Sequence, residues 1–491
     1  MIPAQDYIRI LPELVFTAFG ILIMLLEPTM GEYASRKALG IVAFLGCAAA
    51  LAATFYQSGY QGEAFFHMVR VDAFSTFFHA VIATVAGLVV LASLEYLDVQ
   101  QIHAGEYYAL ILFGSAGMGL MSSAIDLVLI FIALEISSIS TYVLAGIRRR
   151  AAISAEAAIK YFLLGSFATA FFLYGVAFIY GATGSTNTST IAASLGSNYG
   201  PLVYVAVALM FVGIGFKVAA APFHIWTPDV YEGSPAPVVA LMSTGPKAAA
   251  FAVLLRVLFG TNLPGWFWPT WIAAAISMTL GNLGALVQTN IKRLLAYSSI
   301  AHAGYLLVAF CAANVGIGAA IFYTAAYAAM NVGAFAIVSH FASVGERYVT
   351  LDDYAGLGRK QPLLAACLTL LLLSLIGIPV TGGFFAKFYV FSAALNANLL
   401  GLTLIGVLNS AVAAYYYLRV IVVMYMSDDK LSEAPATPIP AGLAAVLLVS
   451  VGLTIYLGVK PNAVLNFANQ GAHALLNVAG PTQAALQTSP R

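Results

Sequence analysis

About fourteen stretches of this chain are apolar over lengths that cross a lipid bilayer as helices, near 7–27, 37–57, 72–94, 106–123, 125–145, 155–182, 201–227, 235–259, 268–287, 294–312, 315–343, 362–395, 400–426 and 439–459. That pattern predicts an all-α, polytopic membrane protein. Of the 491 residues, 61% are hydrophobic and only 8% are charged, against roughly 25% charged in a soluble domain. Water is therefore not the main solvent of this chain. The 43 glycines are spread through the spans, as expected where helix backbones must approach closely in lipid. The first segment reads as a retained helix rather than a secretory signal, because Asp6 and Arg9 precede its apolar core, Glu13 interrupts it and Glu27-Pro28 follow it.

Function classes fall away quickly. Net charge is +1 with no basic patch, so nucleic acid is not expected as a partner. Cys47, Cys311 and Cys367 stand alone within spans with no CxxC pair, so neither an iron–sulfur cluster nor a disulfide framework is indicated. The sequence holds no glycine-rich nucleotide loop.

Placement of Lys and Arg predicts orientation. Loops after odd-numbered spans hold eleven basic residues (Arg36, Lys37, Arg148, Arg149, Arg150, Lys292, Arg293, Arg347, Arg359, Lys360 and Lys430); the other side holds Arg9, Arg70, Lys460 and Arg491. Odd loops are thus expected in the cytoplasm and both termini outside.

The remaining basic residues lie within spans. Lys160, Arg256 and Arg419 fall near predicted span ends, where snorkelling to the headgroups accounts for them. Lys217, Lys247 and Lys387 do not. Lys217 lies in GFKVAAAPFHIWTPDVYEG (215–233), Lys247 follows Pro246 in TGPKAAAF (244–251), and Lys387 closes GIPVTGGFFAKF (377–388). An ammonium at bilayer mid-depth costs several kcal/mol, so such residues are kept mainly where charge or protons move.

Two of these segments also contain a break. Pro222 and Pro379 fall mid-span, each within eight residues of a buried lysine, and Gly382 and Gly383 follow the second. Proline removes a donor and clashes with the preceding turn, and in lipid a broken helix persists only where its freed groups find protein partners or a wet cavity. Paired interruptions in corresponding halves predict inverted repeats with sites at mid-membrane. The expected division is a three-helix segment at 1–105, five-helix repeats at 106–259 and 260–426 with one broken helix each, and a last helix with a tail at 427–491.

Glu135 is the carboxylate expected in mid-span, in LVLIFIALEISSISTYVL (127–144) beside Ser137, Ser138, Ser140 and Thr141. A carboxylate that approaches or leaves a desolvated amine changes the amine's hold on its proton. Moving one proton against ~150 mV takes roughly 3.5 kcal/mol, within reach of one such charge pair. His224 and His302 are candidate relays, since imidazole titrates near neutrality. His67, His103 and the His473 of a polar tail read as surface; His79 and His340 have no assigned role.

The strings APFHIWTPDVYEGSPAPV (221–238), NIKRLLAYSSIAHAGY (290–305) and TGGFFAKF (381–388) resemble the proton-conducting antiporter-type family, and within it the N-type subunits of bacterial NADH:quinone oxidoreductase, respiratory complex I. The resemblance covers essentially the whole chain except the tail after Pro461. It implies two inverted five-helix repeats, with Glu135, Lys217, Lys247 and Lys387 at the family's fifth-, seventh-, eighth- and twelfth-helix positions. Lysine rather than glutamate at 387 argues against the M-type subunit. It also implies a subunit without redox centres of its own, with NADH, FMN, iron–sulfur clusters and quinone in partner subunits. Neighbours would be antiporter-like and small membrane subunits in the bacterial inner membrane. A multisubunit cation/proton antiporter, or a membrane subunit of a related hydrogenase complex, would use the same buried lysines.

Overall fold

The computed structural model describes residues 3–31, 34–102, 104–195, 200–261, 263–342, 344–427 and 438–477; His103, Lys430 and Arg491 lie outside them. The described helices are α1 (Ala4–Ile8), α2 (Leu11–Leu26), α3 (Lys37–Gln57), α4 (Ala73–Val99), α5 (Glu106–Ser123), α6 (Leu127–Ala145) and α7 (Ala152–Thr183). Then come α8 (Thr188–Leu195), α9 (Pro201–Lys217), α10 (Trp226–Gly233), α11 (Ala236–Thr261), α12 (Phe267–Leu286), α13 (Ile291–Cys311) and α14 (Ile317–Phe341). The series ends with α15 (Leu357–Lys360), α16 (Pro362–Ile376), α17 (Gly382–Asn396), α18 (Leu400–Met426), α19 (Ala441–Val459) and α20 (Pro461–Leu476).

Ten of these are long and apolar enough to cross a membrane by length and composition, fewer than the fourteen spans expected. The other four expected spans became α5, α9, α12 and the α16–α17 pair, which are shorter or less apolar. One antiparallel hairpin departs from the all-α expectation: β1 (Gly62–Ala64) pairs with β2 (Val69–Val71) in the register Gly62↔Val71.

Local sequence explains where helices start. Asp72 caps α4 by accepting from Ser75 N at 2.7 Å, Asp126 caps α6 through Val128 N at 2.9 Å, and Asn290 caps α13 through Lys292 N at 2.9 Å. Each cap satisfies amides that a helix leaves open at its first turn.

The centre of the bundle is α11, α13 and α14. Their most apolar windows are 100%, 94% and 94% buried, against 28% for α2 and α18, so the first set packs on protein and the second presents apolar side chains outward. Helices α2, α3 and α4 pack together and lean on α5 and α11, while α14 also contacts α16, α17 and α19.

Two helices are interrupted. Between α9 and α10 the freed Ala221 amide donates to Ser277 Oγ of α12 at 2.7 Å, and Trp226 Nε1 donates to Phe216 O at 3.2 Å. Between α16 and α17, Gly377 takes a left-handed φ of 96°, and Gly383 N donates to Ser374 Oγ at 3.1 Å. A Cβ on Gly383 would stand 1.8 Å from Ser374 O, so only glycine allows the two half-helices to meet there. At both breaks, freed backbone groups thus find protein partners.

The region after Pro461 is helical to Leu476, with His473 exposed on α20 rather than in a polar tail. His67 is exposed in the hairpin turn beside Glu63.

Candidate functional site

Lys217 is the last residue of α9, placed there because the chain leaves the helix at the break. Its Nζ donates to Ser138 Oγ of α6 at 2.9 Å and stands 5.7 Å from the centre of the Tyr161 ring. Glu135 lies three residues before Ser138, one turn along the same helix face. Among the described residues no ion pair within 4.0 Å joins Glu135 to Lys217, and Glu135 Oε1 and Ser137 Oγ are buried without a hydrogen-bond partner. The carboxylate and the amine are thus neighbours through Ser138 and not a closed pair.

Lys247 projects from the middle of α11, one residue after the internal Pro246. Its Nζ donates to Ser299 O at 2.9 Å and to Ser299 Oγ at 2.6 Å on α13. Tyr327 of α14 donates to the same Ser299 Oγ at 2.8 Å. One turn further along α13, His302 meets Tyr323 Oη through Nδ1 at 2.7 Å and Tyr417 Oη through Nε2 at 3.4 Å. A small cavity lies between Lys247, Ser299, His302 and Tyr327, with Thr244 and Thr324 on its wall.

Lys387 closes the second break. Its Nζ donates to Leu375 O at 3.1 Å, Ile376 O at 2.7 Å and Ser410 Oγ at 2.8 Å. The two carbonyls are the C-terminal end of α16, where a cation is favoured by the helix dipole. The ammonium also sits 4.8 Å from the Tyr305 ring centre. Tyr305 Oη accepts from Asn282 Nδ2 at 3.2 Å, Tyr416 Oη donates to Asn282 Oδ1 at 3.0 Å, and the Tyr416 and Tyr417 rings touch. Hydrogen bonds and ring contacts through Tyr417, Tyr416, Asn282 and Tyr305 thereby join the His302 pocket to the Lys387 pocket.

One rule covers all three lysines. They are 4–6% exposed, and among the described residues their hydrogen bonds go only to hydroxyl and carbonyl oxygens. The other buried cations differ: Arg256 is bidentate to Asp72 at 2.9 and 3.1 Å, and Lys292 meets Glu346 at 2.7 Å.

Sequence reasoning passed over several of these groups. Tyr231 of α10 is fully buried, its Oη has no hydrogen-bond partner, and it lies within electrostatic reach of Tyr327, Ser299 and Tyr161. It occupies the space between the Lys217 and Lys247 pockets. Glu346, in the loop after α14, accepts from Lys292, Arg148 Nη1 at 3.0 Å, Tyr96 Oη at 2.7 Å and Ala236 N at 2.9 Å. Burial pushes its carboxyl up, but Lys292 and Arg148 hold it below the usual carboxylate range. This clamp fixes the starts of α11 and α13, which carry Lys247 and Ser299. No local motif announces such a residue.

His224 lies half-buried in the first break with its Nδ1 unpartnered, and no hydrogen bond ties it to the three lysines. Pro222 and Pro379 both sit in the breaks between half-helices. Snorkelling does not describe Arg256, which is 2% exposed and held by Asp72 and Ser122 O; an internal partner from α4, invisible to hydropathy, overrides the span-end position. Lys160 pairs with Glu156 and Asp229 at 2.7 and 2.8 Å, and Arg419 donates to the Leu286 and Gln288 carbonyls. Glu135 is half-buried, and a second carboxylate, Glu13 near the start of α2, is 4% exposed. Among the described residues no cluster of three or more His, Cys, Asp or Glu is suited to a metal ion.

Residues 124–413 match the family described as "NADH:quinone oxidoreductase/Mrp antiporter, TM". The chain is 64% identical over 485 residues to NADH-quinone oxidoreductase subunit N 2 of Koribacter versatilis, covering 97% of this chain and 98% of the relative. It is 52% identical over 476 residues to subunit N 1 of Solibacter usitatus, covering 95% and 97%. Among solved structures, a chain of respiratory complex I from Thermus thermophilus superposes with a TM-score of 0.80 at 38% identity, covering 93% of this chain and 98% of that one. A family match over more than half of the chain, joined to high identity across nearly all of it, places the chain in the NADH:quinone oxidoreductase/Mrp antiporter transmembrane family, in its subunit N group.

Proposed function

We propose that this chain is a proton-translocating membrane subunit of an NADH:quinone oxidoreductase, in which Lys217, Lys247 and Lys387 hold and release the proton. The observation that carries this reading is the ligation of three buried ammoniums by neutral oxygens alone. An amine so held loses little when it becomes neutral, because hydroxyls can donate to its lone pair, whereas an amine locked to a carboxylate stays charged.

The rest follows from arrangement. Glu135 biases Lys217 through the polar face it shares with Ser138. A proton leaving Lys217 reaches Lys247 past Tyr231 and Ser299, moves by His302 and the Tyr417–Tyr416–Asn282 line, and departs at Lys387. His224, at the first break, is a relay at the mouth of the first half. The repeats are read as 106–259 and 260–426, after a three-helix segment at 1–105 and before the last helix at 427–491. The chain supplies no electron carrier; NADH, FMN, iron–sulfur clusters and quinone belong to partner subunits. It sits in the bacterial inner membrane with both termini on the periplasmic side, beside antiporter-like and small membrane subunits.

Replacing Lys217 with Met is the direct test. The variant complex is expected to assemble while its proton pumping, followed in proteoliposomes with a pH-sensitive dye, is abolished or strongly reduced. Full pumping in that variant refutes the reading.

A further inference from the structure

A second group of buried ionisable side chains lies away from the lysines, between α2, α4, α5 and α11. His79 Nε2 stands 2.6 Å from Glu13 Oε1, with the two side chains 1% and 5% exposed. On the other side of the ring, His79 Nδ1 lies 2.6 Å from Ser75 O and 3.5 Å from Ser122 Oγ. A carbonyl only accepts, so Nδ1 carries a hydrogen. One further proton then lies between Nε2 and Glu13 Oε1, whichever of the two atoms bears it. The second carboxyl oxygen, Glu13 Oε2, is buried with no hydrogen-bond partner.

Next to this pair, Arg256 grips Asp72 with two nitrogens and donates through Nε to Ser122 O at 2.7 Å. The Asp72 side chain is 10% exposed, at the end of the bundle that carries the β-hairpin. Among the described residues, α3, α14, α19 and α20, which also pack on α4, place no charged side chain in hydrogen-bond contact with the pair.

Depth is set by α5. Met118 packs against Gly245, two residues before Lys247, and the next residue, Gly119, faces Glu13 Oε1 and the His79 ring. The pair therefore lies inside the bundle, one to two turns from the ends of α2, α4 and α5 that meet Asp72 and the β-hairpin. A buried carboxyl oxygen without a partner is uncommon and calls for a reason.

We propose that Glu13 and His79 form a further proton-binding site, outside the Lys217–Lys247–Lys387 line, that communicates with the outer aqueous phase at Asp72. Uptake adds one proton to Glu13 Oε2 while the shared proton stays between Oε1 and Nε2; release returns that proton and restores the carboxylate. Arg256 and Asp72 remain a fixed, mutually neutralised pair that keeps the site polar without competing for the proton. The proposal rests on the reading of this chain as a proton translocator and on its orientation.

The test uses the whole complex, with the chain in place, in proteoliposomes. Infrared difference spectra across an external pH titration are expected to show a carboxylic-acid carbonyl band that Glu13→Gln removes, and that variant is expected to lose the dependence of turnover on outer pH. An unchanged band and an unchanged pH profile overturn the proposal. If the Gln variant does not assemble, Glu13→Asp keeps the acid and must shift the band; an unshifted band also overturns it. Lys217→Met run in parallel separates the two ideas: normal pumping there defeats the translocator reading, while lost pumping there with a silent Glu13→Gln defeats only this site.

Discussion

Lys387 Nζ sits 2.7 Å from the carbonyl oxygen of Ile376, the last residue of the half-helix α16. The same ammonium binds Leu375 O. A residue read from sequence as a proton carrier is thus also the C-terminal cap of a broken helix.

Lys387→Met should therefore do two things where Lys217→Met does one. Leaving the Leu375 carbonyl buried and unpaired, with Ser410 Oγ at 3.3 Å as the remaining donor to Ile376 O, is expected to destabilise the protein by about 1–3 kcal/mol. Lys217 bonds a single hydroxyl, so its Met variant should keep its thermal midpoint. Thermal unfolding of the two detergent-extracted complexes, beside their pumping rates, checks the contrast.

Tyr231→Phe removes one hydroxyl that has no partner and keeps the ring contacts to Trp226 and Phe335. Stability should hold or rise slightly, since an unsatisfied buried group is removed. Proton transfer between the Lys217 and Lys247 pockets should slow, seen as fewer protons per NADH oxidised. An unchanged ratio removes Tyr231 from the path.

Glu135→Gln keeps size and removes charge at a side chain that closes no ion pair with Lys217. Folding should be unaffected, whereas pumping should fall because Lys217 loses the charge that biases it. Native gels report the first and proteoliposome acidification the second.

Glu346→Gln leaves Lys292 and Arg148 without their common carboxylate, and breaking a buried pair of this kind costs about 3–5 kcal/mol. The pH sign follows from a folded-state carboxyl held below its ordinary range. Its contribution is fully present above the unfolded value of about 4.3 and is lost as pH falls through the lower folded value. Thermal unfolding of wild type and variant should converge at acid pH and separate toward neutrality.

How much of this was legible follows from where each signal lives. The three lysines, the two prolines and the strings around them are local and report themselves through hydropathy. So does the bundle of helices, because lipid leaves few alternatives. Arg256, His79 and Glu13 were not legible, since what makes them a cluster is the meeting of α2, α4 and α11, which lie far apart in the chain. Position near a span end suggested snorkelling for Arg256, and only the packing of α4 on α11 supplies Asp72. Glu346 was missed for the same reason: its partners come from four separate stretches of sequence. The run at 362–395, read as one span with a break at Pro379, is two short helices on either side of that proline.

The absence of room at Gly383 has a mechanical meaning. With Ser374 O where a methyl group would otherwise go, the joint between α16 and α17 is packed solid, like a mortised corner, and has no slack to swing open. Parting the two half-helices must therefore first break this backbone contact.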